Sequence, residues 1–174
     1  MIMERTPSQT IGPFFHEGLR WRDGARVRFA EGGKRIVITG RMLDGAGEPV
    51  GDAMMETWQR SPAGGDPKPA TGDATPHGFA RLETAKDGTF RIETAMPAGA
   101  APFLDVSIFA RGLLKALRTR VYLADEAAVR ADPALAPIAA SPRIRTLVAT
   151  LSSDGSYRWD VRLQGEGETV FFAF

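Results

Sequence analysis

Apolar and polar positions alternate in short runs along most of the chain, and turn-forming residues separate the runs. Arg35 to Leu43 (RIVITGRML) crowds β-branched residues together and reads as a strand. Asp44-Gly45-Ala46-Gly47 follows as a turn, because aspartate and glycine tolerate positive φ. Asp52 to Gln59 reads as a second strand, with Met54 and Met55 ahead of Thr57-Trp58. Phe79 to Thr84 and Thr89 to Thr94 flank Lys86-Asp87-Gly88, the pattern of a β-hairpin. Leu104 to Ala110 is apolar enough for a buried strand, and Arg118 to Leu123 and Arg145 to Leu151 look similar. After a turn at Ser153-Asp154-Gly155-Ser156, Tyr157 to Leu163 alternates cleanly, with Tyr157, Trp159, Val161 and Leu163 on one face. Thr169 to Phe174 closes the chain as a short aromatic strand.

One segment departs from this period. Asp125 to Ala131 combines helix formers with acidic residues at its start, and Pro133 limits it. Roughly nine or ten strands with one short helix predict an all-β fold, an antiparallel β-sandwich with long loops. The length predicts a single domain over residues 1–174, with an N-terminal arm of about residues 1–20. Gly64 to Thr75 is a polar Pro/Gly loop of the kind that carries function or is disordered. No repeat of fixed period is present.

Composition narrows the functional classes. With 174 residues, 43% hydrophobic and 25% charged, the chain has ordinary globular composition. Lys and Arg total 22 against 21 Asp and Glu, a net charge of +1 that gives no basic footprint for nucleic acid. No stretch approaches the roughly 20 apolar residues of a membrane span, and Met1 to Gln9 lacks the order of a secretory signal. The sequence has no cysteine, which excludes disulfides and thiolate metal sites and fits a cytoplasmic protein.

Three stretches carry a specific resemblance: Thr6-Pro7-Ser8-Gln9-Thr10-Ile11-Gly12-Pro13-Phe14-Phe15; Val106 to Gly112 with Thr119 to Leu123; and Arg162 to Phe172 (RLQGEGETVFF). Together they resemble the intradiol ring-cleavage dioxygenases, and among these the alpha-type chains. The resemblance spans Thr6 to Phe174, and its last motif is the most particular to alpha chains. It implies a β-sandwich subunit paired with a homologous beta subunit in a larger assembly. It also implies Fe(III) held by two tyrosines and two histidines of the beta chain. The implied reaction is cleavage of protocatechuate by O2 between its hydroxylated carbons, giving 3-carboxy-cis,cis-muconate, a step of aromatic catabolism.

The chain has 2 tyrosines and 2 histidines, numerically a complete ligand set. The spacing argues against it. The family's ligand histidines lie two apart on one strand and face the same side, and the matching positions here read Phe103-Leu104-Asp105. The regions that carry the family's ligand tyrosines, Gly64 to Gly78 and Met96 to Ala101, contain none. Tyr122 and Tyr157 read instead as core or interface residues with a satisfied hydroxyl, and His16 and His77 as surface histidines. The expected metal set of this chain is therefore empty. Two further readings stay open: a self-sufficient iron enzyme in which both histidines meet Asp105, and a metal-free, transthyretin-like carrier.

The resemblance also implies a substrate-lining role for Thr10, Gly12 and Pro13. Gly12 allows close backbone approach to a flat ring, and Pro13 stiffens the loop. Arg111 is the candidate partner of the substrate carboxylate, since a guanidinium fork matches that group; a surface ion pair is the alternative. Glu166 and Glu168 read as a bend whose carboxylates pair with basic residues, and Phe171, Phe172 and Phe174 as packing residues. The short turn Met96 to Pro102 departs from the family pattern.

Overall fold

The computed structural model describes residues 18–20, 22–29, 32–68 and 77–173. The expected N-terminal arm up to residue 17, and most of the Pro/Gly loop, lie outside the described residues. Nine strands are present among them: β1 Arg35–Leu43, β2 Met54–Trp58, β3 Phe79–Glu83, β4 Thr89–Ala95, β5 Phe103–Phe109, β6 Leu117–Tyr122, β7 Thr150–Leu151, β8 Tyr157–Arg158 and β9 Val161–Arg162. They form two sheets. One runs β4-β1-β8-β7 with β9 also on β1, and the other runs β3-β2-β5-β6.

Strand alternation builds the core between the sheets. In β1 the buried positions are Ile36, Ile38, Gly40 and Met42, each flanked by more exposed neighbours. Met55, Leu104, Val106, Ile108 and Val121 face them from the second sheet, with Ile92, Trp159 and Val161 completing the cluster. Residues of the opposite parity in β5 and β6 turn outward. There Tyr122 and Phe103 join a second apolar cluster with Val129, Leu135, Ile144, Leu147 and Val170. That cluster is roofed by α1 (Glu126–Arg130) and by two 3-10 helices, Pro133–Ile138 and Pro142–Leu147. Asp125 caps α1 by accepting from the Ala128 N–H, as a helix start requires.

The all-β sandwich is as expected, with four local differences. Ala85 to Gly88 does form a tight turn, with Gly88 N–H donating to Ala85 and Ala85 N–H to Thr89. Yet β3 and β4 part into different sheets, so this is an arch and not a hairpin. Thr84 explains the parting: its N–H donates to Ala53, and its hydroxyl accepts from Ala53 N–H and donates to Val50, tying β3 to β2. Arg145 to Leu151 is mostly not strand. Pro142 starts a 3-10 turn capped by Ser141, and Arg145 to Leu147 complete it; a proline at a first helical position favours this. Tyr157 to Leu163 keeps its alternation but splits into β8 and β9, both parallel to β1. Among the described residues the last segment makes only a bridge, Phe172 to Arg118.

The split follows from a close approach. A Cβ on Gly40 would lie 1.7 Å from the Trp159 carbonyl oxygen, so the backbones touch where any other residue would separate them. Asp160 fills the gap in pairing, its carboxylate accepting the Arg41 N–H at 2.9 Å. Gly40→Ala is therefore expected to destabilise the fold by about 3 kcal/mol, the upper range for overpacking. That corresponds to a fall in Tm of roughly 6–12 °C for a domain of this size, measurable by thermal unfolding; an unchanged Tm would mean the strands can separate freely.

Candidate functional site

The outer face of the β3-β2-β5-β6 sheet carries the positions that the resemblance singles out. Leu104 is buried in the main core, while Phe103 and Asp105 on either side of it face outward together. They border a cleft of ≈ 710 Å³ lined also by Trp58, Arg60, Asp66 and Asp132. The far wall is small, formed by Ala98 to Ala101 and by Ala128 and Ala131 beside Pro133.

A fixed cation closes one end. The Arg120 guanidinium lies 4.1 Å over the Phe103 ring and donates to Asp105 at 2.8 Å and to the Tyr122 hydroxyl at 3.2 Å. Tyr122 donates in turn to Asp132 at 2.8 Å, and Asp132 lies 3.8 Å from Arg120. Register explains the assembly, because Asp105 pairs with Arg120 and Phe103 with Tyr122 across β5 and β6. Burial of the Tyr122 phenol and its donation to Asp132 push its pKa up to about 12, against the opposing pull of Arg120. Tyr122 is thus a core tyrosine with a satisfied hydroxyl. Tyr157 is half-buried against the main core.

These residues do not fit a ferric ion. Fe(III) takes hard anionic oxygens and imidazoles; here one of the two matching positions is a phenyl ring and the other a carboxylate already neutralised by Arg120. A second cation beside the guanidinium would be repelled. Among the described residues no group of three or more His, Asp or Glu converges as a metal site. His16 lies outside the described residues, and His77 sits half-buried just before β3.

Thr10, Gly12 and Pro13 also lie outside the described residues. Arg111 is placed on the turn after β5, its side chain 72% exposed and ion-paired with Asp52. Glu168 pairs with Arg143 at 2.7 Å, as the bend reading expects. Trp58 and Arg120 lie in stretches singled out in the sequence, but no local signal assigns either a role at the cleft. Only their cross-strand partners give them meaning, and partners are set by register.

The Tyr122 hydroxyl yields a testable expectation. Its folded pKa is raised above its ordinary value, so the stabilisation of the neutral phenol is complete below about pH 10 and is lost as pH rises towards 12. The loss is on the order of 2 kcal/mol. Tyr122→Phe should remove this slope from unfolding free energies measured between those pH values. At neutral pH it should cost about 1–3 kcal/mol, because Asp132 loses its donor; a variant with the parent's alkaline slope would show that other groups cause it.

The protein-family model described as Dioxygenase matches residues 11–103. The protocatechuate 3,4-dioxygenase alpha chain of Burkholderia cepacia is 38% identical, covering 98% of this chain and 98% of that one. The beta chain of the same enzyme from Burkholderia cepacia is 29% identical, over 79% of this chain and 67% of its own. Among solved structures, an intradiol ring-cleavage dioxygenase from Tetranychus urticae superposes with a TM-score of 0.59 at 16% identity, covering 92% of this chain and 94% of that one. Sequence identity along almost the whole length, on a sandwich shared with intradiol enzymes, places the chain in the intradiol dioxygenase family, on its protocatechuate 3,4-dioxygenase alpha-chain branch.

Proposed function

We propose that this chain is the alpha-type subunit of a ferric intradiol dioxygenase, an oxidoreductase that opens protocatechuate with O2 to 3-carboxy-cis,cis-muconate. The observation that carries the reading is the outward pair Phe103 and Asp105, which the resemblance matches to the family's ligand histidines and which here face the Arg120 guanidinium. In this reading the iron sits on a homologous beta chain, and this chain lines the substrate pocket. The reaction breaks the bond between the two hydroxylated carbons, and both atoms of O2 end in the two new carboxylates. Exposed apolar side chains support the pairing: Leu114 and Leu151 are both exposed, and lasting subunit interfaces bury such groups. No helix among the described residues is long and apolar enough to cross a membrane. Cytoplasmic residence, expected from the cysteine-free composition, belongs to the same proposal.

Within the pocket, the loop of Thr10, Gly12 and Pro13 takes the ring and Arg111 takes the carboxylate. The exposed pair of Arg111 with Asp52 is worth about 0–1 kcal/mol. A charge-assisted bond to substrate in a drier pocket is worth about 1.5–3 kcal/mol, so exchange of partners is favourable.

Chain produced alone should hold negligible iron by elemental analysis and show no visible charge-transfer band, whereas coexpression with a beta-type partner should give a coloured, iron-loaded complex. Stoichiometric iron in the isolated chain would defeat the reading. In the complex, Arg111→Ala should raise KM for protocatechuate roughly 10- to 150-fold and leave kcat and catechol turnover nearly unchanged, because the carboxylate is held alike in ground and transition states. Equal losses for both substrates would make Arg111 a support of the pocket, and no loss would leave it a surface group.

A further inference from the structure

The cleft beside Asp105 has the parts of a binding site that needs no metal. Trp58 and Asp105 are direct partners across β2 and β5, which sets their Cβ atoms about 5 Å apart on the same outer face. The Trp58 indole is 50% exposed, an unusual amount for so large a ring. It is nonetheless held in place. Phe79 lies 4.4 Å from it, Arg81 lies over Phe79 at 5.6 Å, and Glu56 fixes Arg81 at 2.5 Å. The result is an ordered aromatic platform whose remaining surface opens outward.

Beside the platform stands an acceptor. Asp105 Oδ1 is taken by Arg120, but Oδ2 accepts no hydrogen bond from a described residue, and the side chain is 54% exposed. The cleft volume of ≈ 710 Å³ lies within the range of small-molecule sites. Its charges discriminate further. Arg60 and Arg120 stand against Asp66, Asp105 and Asp132, leaving one negative charge in excess.

We propose that this cleft is a second, non-catalytic binding site for an uncharged hydroxylated aromatic ring, which stacks on Trp58 and donates a hydroxyl proton to Asp105 Oδ2. The excess negative charge disfavours a ring that carries a carboxylate. The site therefore prefers catechol to protocatechuate, the opposite of the preference assigned to Arg111. A ring bound here meets no metal and is not opened. The inference rests on the proposed function for the assembly in which it is tested.

The experiment is anaerobic equilibrium dialysis of the alpha–beta complex with radiolabelled catechol, counting bound ligand against iron. A second catechol per iron is expected beyond the one that changes the iron's colour. Trp58→Ala in this chain should weaken the second class about tenfold or more while leaving the colour change intact. Asp105→Asn should weaken it as well, and protocatechuate should compete for it poorly. Because Trp58 is half exposed, its removal is compatible with folding, which circular dichroism checks. The inference is overturned by a single iron-linked class, by a second class indifferent to Trp58→Ala, or by equal competition from protocatechuate. A complex with neither iron nor any catechol binding would instead bring down the proposed function.

Discussion

The contact between the Gly40 backbone and the Trp159 carbonyl is the constraint from which most of this structure hangs. It lets the C-terminal segment lie against β1, where Trp159 N–H donates to Thr39 at 2.9 Å. The Trp159 indole then donates to the Thr146 carbonyl at 2.9 Å, fixing the second 3-10 helix. The Thr146 hydroxyl accepts from Val170 N–H at 3.0 Å, and the Val170 carbonyl accepts from the Thr119 hydroxyl at 2.8 Å. Thr119 precedes Arg120 on β6. A chain of hydrogen bonds thus runs from the first sheet, through the second apolar cluster, to the strand that presents the fixed cation. Buried polar groups left unpaired are costly, so these links set geometry as well as contribute stability.

At the end of that chain the same sheet face serves two opposed purposes. Phe103 and Asp105 occupy outward positions two residues apart, the spacing by which a strand aims two side chains at one point. In this chain they aim at a guanidinium. Arg120 cannot leave, cannot be exchanged and does not change oxidation state; it neutralises Asp105 and braces Tyr122 without supplying any chemistry. The division of labour proposed for the two chains rests on this arrangement, in which the position contributes rigidity to this chain.

How much was legible in advance depended on whether the signal was local. The buried strands β1, β2, β5 and β6 announced themselves through β-branched and alternating runs. The turns at Asp44–Gly47 and Ser153–Ser156 announced themselves through aspartate and glycine, and the carboxylates of Asp44 and Asp154 accept backbone N–H bonds within them. Lys86-Asp87-Gly88 encodes a turn but not the hairpin that its flanking runs suggest. A tight turn encodes the reversal of the chain, whereas the sheet each arm joins is decided by Thr84, whose partners lie about thirty residues away. Arg145 to Leu151 is ambiguous in sequence because an apolar run of that length suits a strand or a short helix equally; Pro142 is the residue that favours the helix. At the site, the identities of Phe103 and Asp105 could be read directly. The meaning of Trp58 and Arg120 could not, since each acquires its role from the residue across the strand.

The parallel pairing of β1 with β8 and β9 also bears on how the chain reaches this state. Arg41 and Asp160 are 119 positions apart, so the loop they close is among the longest this sequence permits. Closing such loops slows folding, because chain entropy is lost before the contact repays it. During synthesis β1 emerges well before β8 and β9, and among the described strands it has only β4 as a sheet neighbour until they follow. For that interval one side of β1 is an open edge, rich in unpaired N–H and C=O groups and therefore adhesive. Two arginines within β1, Arg35 and Arg41, supply charge where a nascent edge would otherwise find a wrong partner.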